Sequence, residues 1–185
     1  MKRLLYHASQ SPIPDPNPFH GRKNADMGQA FYLSEDESFA RIWAKQGWHI
    51  NVYDWEEEGL AIQTLEQDEN WFRTIFENRN HAKDPYSHCD AIIAPIANDT
   101  IFDLVGLLTS GFVPEDICLK VLRQGPKFTQ IALKSEKAVK NLHYLGSSVI
   151  SGKEAEENRK KAEAMEKEFL DSIKTILGKY KEVLE

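Results

Sequence analysis

Residues 26–34 read Asp26-Met27-Gly28-Gln29-Ala30-Phe31-Tyr32-Leu33-Ser34. A glycine-bearing loop gives way to a short apolar run, Ala30 to Leu33, of the kind that forms a buried strand. Ser34 and Glu37 stand at the spacing of a capping box and predict a helix start at about Glu35. Alternation along the strand sends Phe31 and Tyr32 to opposite faces. One of the two enters a core, and the other faces a cleft or solvent.

Outward from this stretch the same logic predicts a succession of short elements. Lys2 to His7 reads as a first strand. Ser9 to Gly28 is a loop, because Pro12, Pro14, Pro16 and Pro18 fix φ and remove donors. The helix after Ser34 carries Phe39, Ile42 and Trp43 on one side to about Gln46, and Gly47 ends it. Trp48 to Tyr53 alternates as a strand, with Trp48, Ile50 and Val52 on one face. An acidic turn, Asp54 to Gly59, leads to an edge strand over Leu60 to Leu65. Glu69 to Asn78 is amphipathic, with Trp71, Phe72, Ile75 and Phe76 inward. A polar loop at 81–88 precedes a compact strand, Ala91 to Ala94. Helices are expected over 99–109 and, started by Pro114, to about Arg123. Phe128 to Leu133 is a strand, Ser135 to Asn141 a short helix, and Leu142 to Leu145 a last strand. Short strands and helices without regular βαβ alternation predict an α+β fold.

Composition shifts after Gly146-Ser147-Ser148. Ala162, Met165, Phe169, Ile173, Ile176, Tyr180 and Val183 recur at spacings of three and four, the stripe of one long amphipathic helix. Two units are therefore expected, a domain over residues 1–148 and a charged helix over 149–185. The tail reads either as docked on the domain or as a surface for a second copy or a partner.

The chain has 185 residues and a formal net charge of −6. That length supports one domain with its own core. The acidic balance argues against bulk nucleic-acid binding through phosphate charge. Cys89 and Cys118 are too few for a disulfide framework, and His88-Cys89 with Cys118 lacks metal-ligand spacing, so no metal is expected. No apolar run approaches the roughly 18 residues of a membrane span. The expected location is the cytoplasm. Lys120, Arg123, Lys127, Lys134, Lys137 and Lys140 bracket Gln130, either as a solvated face or as a lip for an anionic ligand.

Three local signals point to chemistry. Tyr6-His7-Ala8-Ser9 puts a histidine at a strand end among small residues. Gly28-Gln29-Ala30-Phe31-Tyr32-Leu33-Ser34 carries the aromatic pair. Phe128-Thr129-Gln130-Ile131-Ala132-Leu133 sets a polar glutamine in an apolar strand, on a face with Phe128 and Ala132. Each also has a plain structural reading: a capped histidine, core aromatics and a surface or edge glutamine.

Taken together and in this order, the three resemble the ADP-ribosyltransferase superfamily, in its diphtheria-toxin and poly-ADP-ribose polymerase branch. Gly21 to Gly28, Asn78-Arg79 and Asp90 to Asp99 extend the resemblance to an uncharacterised bacterial family within it, over about residues 3–145. The resemblance implies a split β-sandwich with peripheral helices that grips NAD between two small sheets. It implies His7 on a ribose hydroxyl, Tyr32 stacked on nicotinamide, and Gln130 at the 2′-hydroxyl of the nicotinamide ribose. Ala8, Ser9, Arg22, Gly28, Phe31 and Ser34 would complete the NAD site, with Arg22 and Lys23 near the diphosphate or the target. The implied activity is mono-ADP-ribosyl transfer from NAD to a macromolecular acceptor with release of nicotinamide. A toxin held silent by a small antitoxin-like partner is one setting for it.

The chemistry suits these residue types. Nicotinamide leaves through an oxocarbenium-like state, so a group that orients the 2′-hydroxyl and carries negative charge stabilises it. An aromatic face holds the leaving group and excludes water. Gln130 departs from the usual glutamate. Neutral hydrogen bonds contribute roughly 0.5–1.5 kcal/mol and charge-assisted ones about twice that, so the change costs on the order of tenfold in rate. NAD glycohydrolase activity and a non-catalytic NAD or ADP-ribose binding module stand as alternatives. Asp26, Glu35 and Asp99 are carboxylates that could enter such a cleft, though the sequence does not place them.

Overall fold

A computed structural model of the chain describes residues 1–80, 84–97, 114–124 and 127–184. The strands are β1 Lys2–Ser9, β2 Phe31–Ser34, β3 His49–Glu56, β4 Ile62–Thr64, β5 Ala91–Pro95, β6 Thr129–Leu133 and β7 Leu142–Val149. They form one mixed sheet in the order β4-β5-β6-β2-β1-β3-β7. β4 and β5 run parallel and the other neighbours antiparallel. The described helices are α1 Glu37–Ile42, α2 Glu69–Arg79, α3 Glu115–Leu122, α4 Glu136–Lys140 and α5 Gly152–Leu184. This is an α+β architecture. Among the described residues no helix is long and apolar enough to cross a membrane.

The sheet is unevenly knitted. β1 pairs with β3 over its whole length, from Lys2 opposite Glu56 to Ser9 opposite His49. Between β1 and β2 only Tyr6 and Ser34 stand paired. On either side of that joint lie β3 and β7 with β1, and β4, β5 and β6 with β2. Arg3 adds an ion pair to Glu35 just beyond it.

Alternation along the strands separates three cores. On one face Leu5, Tyr53, Trp55 and Leu142 from the first half pack with Phe31, Leu33, Ile93, Ile131 and Leu133 from the second. The opposite face carries two clusters. One gathers Trp71, Phe72 and Ile75 of α2, Cys118, Leu119, Val121 and Leu122 of α3, Ile92, Ala94 and Ala132. The other holds Ala40, Ala44, Ile50 and Ile150, with Tyr6, Ala8 and Trp48 against them. Most elements form where the periodicity expects them, with three differences.

The helix after β2 begins at Glu37, not Glu35, and stops at Ile42. The Ser34 hydroxyl bonds Asp36 N and Thr129 O, while the Asp36 carboxylate takes both Ser38 N and Phe39 N. Asp36 is thus the N-cap. Ala40 and Ala44 face the core, and Trp43 is 47% exposed rather than inward. β3 runs on to Glu56, so the acidic turn starts later, and both of its faces are covered: Asn51, Tyr53 and Trp55 are fully buried opposite Ile50.

β7 extends through Gly146-Ser147-Ser148, which pair with Val52, Asn51 and Ile50. A bulge there skips Leu145, which points into solvent. Of the two readings of the tail, α5 follows the docked one. Phe169 and Ile173 are buried against α3, Ala155 packs beside Ile150, and buried Asn158 donates to Arg41 O at the end of α1. The stripe members Tyr180 and Val183 and the helix expected over 99–109 lie outside the described side chains and residues.

Candidate active site

The loop from Ser9 to Ala30 is held in place by polar groups at both ends. Fully buried Asn51 donates to Ser9 Oγ and His7 O and accepts from Ile13 N. Tyr53 Oη donates to Ile13 O. Gln29 donates to Phe19 O and Gly21 O. Arg79 Nε and NH2 both reach Asp26 Oδ1, at 2.9 and 2.7 Å, and Asn78 donates to Asp26 O. A Cβ on Gly21 would sit 2.2 Å from Ala30 O, and one on Gly28 2.7 Å from Asp84 Oδ2. Gly28 also takes a φ of +80°, which favours glycine. Asp84 in turn pairs with Lys134, whose side chain is 6% exposed.

The strand that leaves this loop divides its two aromatics as alternation requires. Phe31 is core, its ring centroid 4.5 Å from that of His7. Tyr32 is half-buried on the other face, beside the α2–α3 core. Its hydroxyl donates to Gly28 O at 2.6 Å and accepts from Met27 N at 3.1 Å. Burial pushes the phenol's pKa well above its usual value. The hydroxyl is therefore neutral and committed to the loop.

His7 projects to the Phe31 side and not to the Tyr32 side. Its Nδ1 lies 2.7 Å from Tyr32 O. A carbonyl only accepts, so Nδ1 carries the proton and Nε2 the lone pair. Burial holds the imidazole below its ordinary pKa, against the opposing pull of that bond. His7 is neutral at pH 7, and no described residue partners Nε2.

Gln130 lies opposite Ser34, which lies opposite Tyr6, so the three project from one face, with Tyr32 two residues along β2. β6 is an inner strand, so Gln130 is no edge residue. Its side-chain nitrogen is buried and has no hydrogen-bond partner among the described residues. A cleft of about 450 Å³ opens beside this row, lined by Tyr6, Glu35, Asp36, Glu37, Ser38 and residues Lys127 to Thr129.

Not every candidate residue converges: Tyr32, Ser34 and Gln130 share one face of the sheet, and His7 lies with Phe31 on the other. Ser9 and Ser34 spend their hydroxyls on neighbouring backbone and Asn51. Ala8 packs against the cluster of Ala40, Ala44, Ile50 and Ile150. Arg22 is exposed. Asp26 and Glu35 are engaged by Arg79 and Arg3, and Asp99 lies outside the described residues. The basic stretch is not one lip: Lys134 is buried on Asp84, and Lys137 and Lys140 pair with Asp90 and Glu136 beyond the far end of β6. Among the described residues no cluster of three or more His, Cys, Asp or Glu side chains can hold a metal. Burial pushes the Cys118 thiol up to about 11 and raises that of Cys89 as well.

Sequence reasoning missed Asn51 and Asp84. Asn51 sits in an alternating strand at a position that looks outward, and nothing local marks it as the tie between β1 and the loop. Asp84 belongs to a polar run whose contact with Gly28 is set by tertiary packing alone.

Residues 3–144 match the family described as "Protein of unknown function (DUF3990)". No curated protein and no solved structure matches the chain.

Proposed function

For this chain, which belongs to the DUF3990 family, we propose NAD-dependent mono-ADP-ribosyl transfer to a macromolecular acceptor, with NAD as substrate and nicotinamide as the leaving group. The observation that carries the reading is the His7–Tyr32 contact. It presents a neutral imidazole whose Nε2 accepts a hydrogen bond, as a ribose hydroxyl requires. Three features support it. The Tyr32 hydroxyl is spent on its own loop, so its ring is held as a platform. Gln130 carries a buried amide nitrogen in want of an acceptor, which a ribose oxygen supplies. The thin β1–β2 joint suits a sheet that splits around a ligand, as the resemblance to ADP-ribosyltransferases implies. NAD departs at C1′ with positive charge building on the sugar. The part of this chain is to fix the hydroxyls, hold the ring and exclude water. A small silencing partner belongs to the same proposal by resemblance only.

A second reading is favoured by one observation. The Tyr6–Ser34–Gln130 row bears no charge, and Asp26 and Glu35 are already engaged. On that reading the chain binds NAD or ADP-ribose and turns it over poorly or not at all. Nicotinamide release by the purified chain, with Tyr32→Ala as control, separates the two. Tyr32-dependent release supports an enzyme, with the acceptor then deciding between transferase and glycohydrolase, and titratable NAD binding without release supports the module. Absence of both overturns the NAD reading.

A further inference from the structure

The sheet has one face that ties its halves together and one that does not. On the first, a single core runs under the β1–β2 joint, with Leu5, Tyr53 and Trp55 on one side of it and Phe31, Leu33 and Ile131 on the other. On the opposite face the cores are separate. Trp71, Ile92, Leu122 and Ala132 belong to one, and Ala40, Ala44 and Ile50 to the other. Tyr32, Ser34 and Gln130 project from this divided face.

Among the described residues α5 is the element that enters both of the separate cores. Ala155 joins the cluster around Ile50, and Phe169 and Ile173 join the cluster around Trp71. At 1.5 Å per residue these anchor points are about 21 Å apart along one rigid helix. The near anchor is also the more polar. Arg41 of α1 bonds Glu154 and Ser148, and Asn158 donates to Arg41 O. α1 adds a shorter tie, because it leaves β2 and rests on β1.

We propose that α5 is a strap across the β1–β2 joint, and that its two anchors set how far the face carrying Tyr32 and Gln130 can open. The continuous core beneath acts as the hinge pin. The joint itself offers one backbone pair, the His7–Tyr32 contact and the Arg3–Glu35 bridge, and so gives little resistance to a change of angle. A helix held at both ends across that angle resists it in proportion to the apolar area at its anchors. The match to the DUF3990 family ends at residue 144, before α5 begins. The strap is thus an addition outside the matched stretch. It bears on the opening of the face whatever ligand that face takes.

The test uses the full chain with spin labels at His143→Cys and Thr64→Cys, exposed positions on opposite halves. Phe169→Asp with Ile173→Asp releases the far anchor, since two carboxylates do not stay buried there unpaired. The expected result is loss of amide protection in α5 together with a shifted and broadened interlabel distance, while β6 amides stay protected. An unchanged distance with α5 unprotected overturns the strap. So does retained protection of α5, which would mean that Phe169 and Ile173 are not its anchor. Collapse of protection throughout the sheet also overturns it, because the helix would then be an ordinary part of the core. Asn158→Ala, which loosens the near anchor without burying charge, should shift the distance in the same direction by a smaller amount, and no shift there counts against the proposal.

Discussion

His7 Nδ1 holds the carbonyl oxygen of Tyr32 at 2.7 Å, in the place where a strand ladder would continue. Tyr6 pairs with Ser34, so regular antiparallel pairing would set His7 opposite Leu33 and then Ala8 opposite Tyr32. That pairing is not made. The imidazole supplies a donor to the carbonyl, the strands part, and the ring is fixed in one tautomer. One contact therefore stands where the strands part and fixes the tautomer of the histidine and the direction of its free lone pair, while burial keeps the ring neutral.

The histidine should leave a signature in stability against pH. Its pKa is lower folded than unfolded, the reverse of a histidine that gains an acidic partner. The unfolded chain binds the proton first, so the His7 contribution is fully present above the unfolded value of about 6.5. It is lost as pH falls through that value toward the lower folded one. Urea melts between pH 5 and 8 should show this slope, and His7→Gln should flatten it. Nitrogen-detected NMR at pH 7 should show the Nδ1–H tautomer. Equal slopes in both proteins would show that His7 does not titrate as its burial requires.

Three glycines rank by what surrounds them rather than by backbone angle alone. Gly47 has a φ of +80° but open space around it, so Gly47→Ala should cost only the left-handed penalty of about 1 kcal/mol. Gly28→Ala meets Asp84 and Asn78 oxygens as well, and Gly28→Ala should cost more, about 2–3 kcal/mol. Gly21 has an ordinary φ of −65°. Its Cβ would nonetheless collide with the backbone oxygen of Ala30, which has no rotamer to change, so Gly21→Ala should be the most damaging of the three. Thermal melts give the order directly, and a benign Gly21→Ala would contradict it.

Tyr32→Phe separates the hydroxyl from the ring. Losing the hydroxyl leaves Met27 N without its partner, at a cost of about 1–2 kcal/mol in stability. The ring remains on its platform. NAD affinity measured by calorimetry should then fall modestly in Tyr32→Phe and vanish in Tyr32→Ala. If both variants lose binding equally, the hydroxyl and its hold on the loop matter and the ring face does not.

Much of this was legible in the residues. The strand around Phe31 and Tyr32, the helix over Trp71 and the stripe through Phe169 follow from periodicity, which is a local property. The opposed burial of Phe31 and Tyr32 follows from the two-residue repeat. Contacts between distant segments were not legible. Asp26 meets Arg79 and Gly28 meets Asp84 only after α2 and the 84–90 segment fold over the loop. The continuation of β7 through Gly146-Ser147-Ser148 was hidden because the pairing with β3 is made by backbone groups, which small polar side chains do not advertise.

Gln130 offers the sharpest test, because stability and activity pull in different directions there. Its amide nitrogen is buried and unpartnered, a state that costs about 1–3 kcal/mol in desolvation without return. Gln130→Met keeps the length and removes the orphan donor, so its melting temperature should equal or exceed that of the parent, while NAD binding should weaken. Gln130→Glu sets a carboxylate on an inner strand, and desolvation should lower stability at neutral pH by an amount that fades as acid neutralises the group. If the face takes NAD as proposed, the same carboxylate places charge where the sugar turns positive, and nicotinamide release should rise about tenfold despite the weaker fold. A destabilised Gln130→Glu with no gain in release would leave the glutamine as a binding group only and favour the non-catalytic reading. A Gln130→Met that melts lower than the parent would mean that the amide nitrogen has a partner after all.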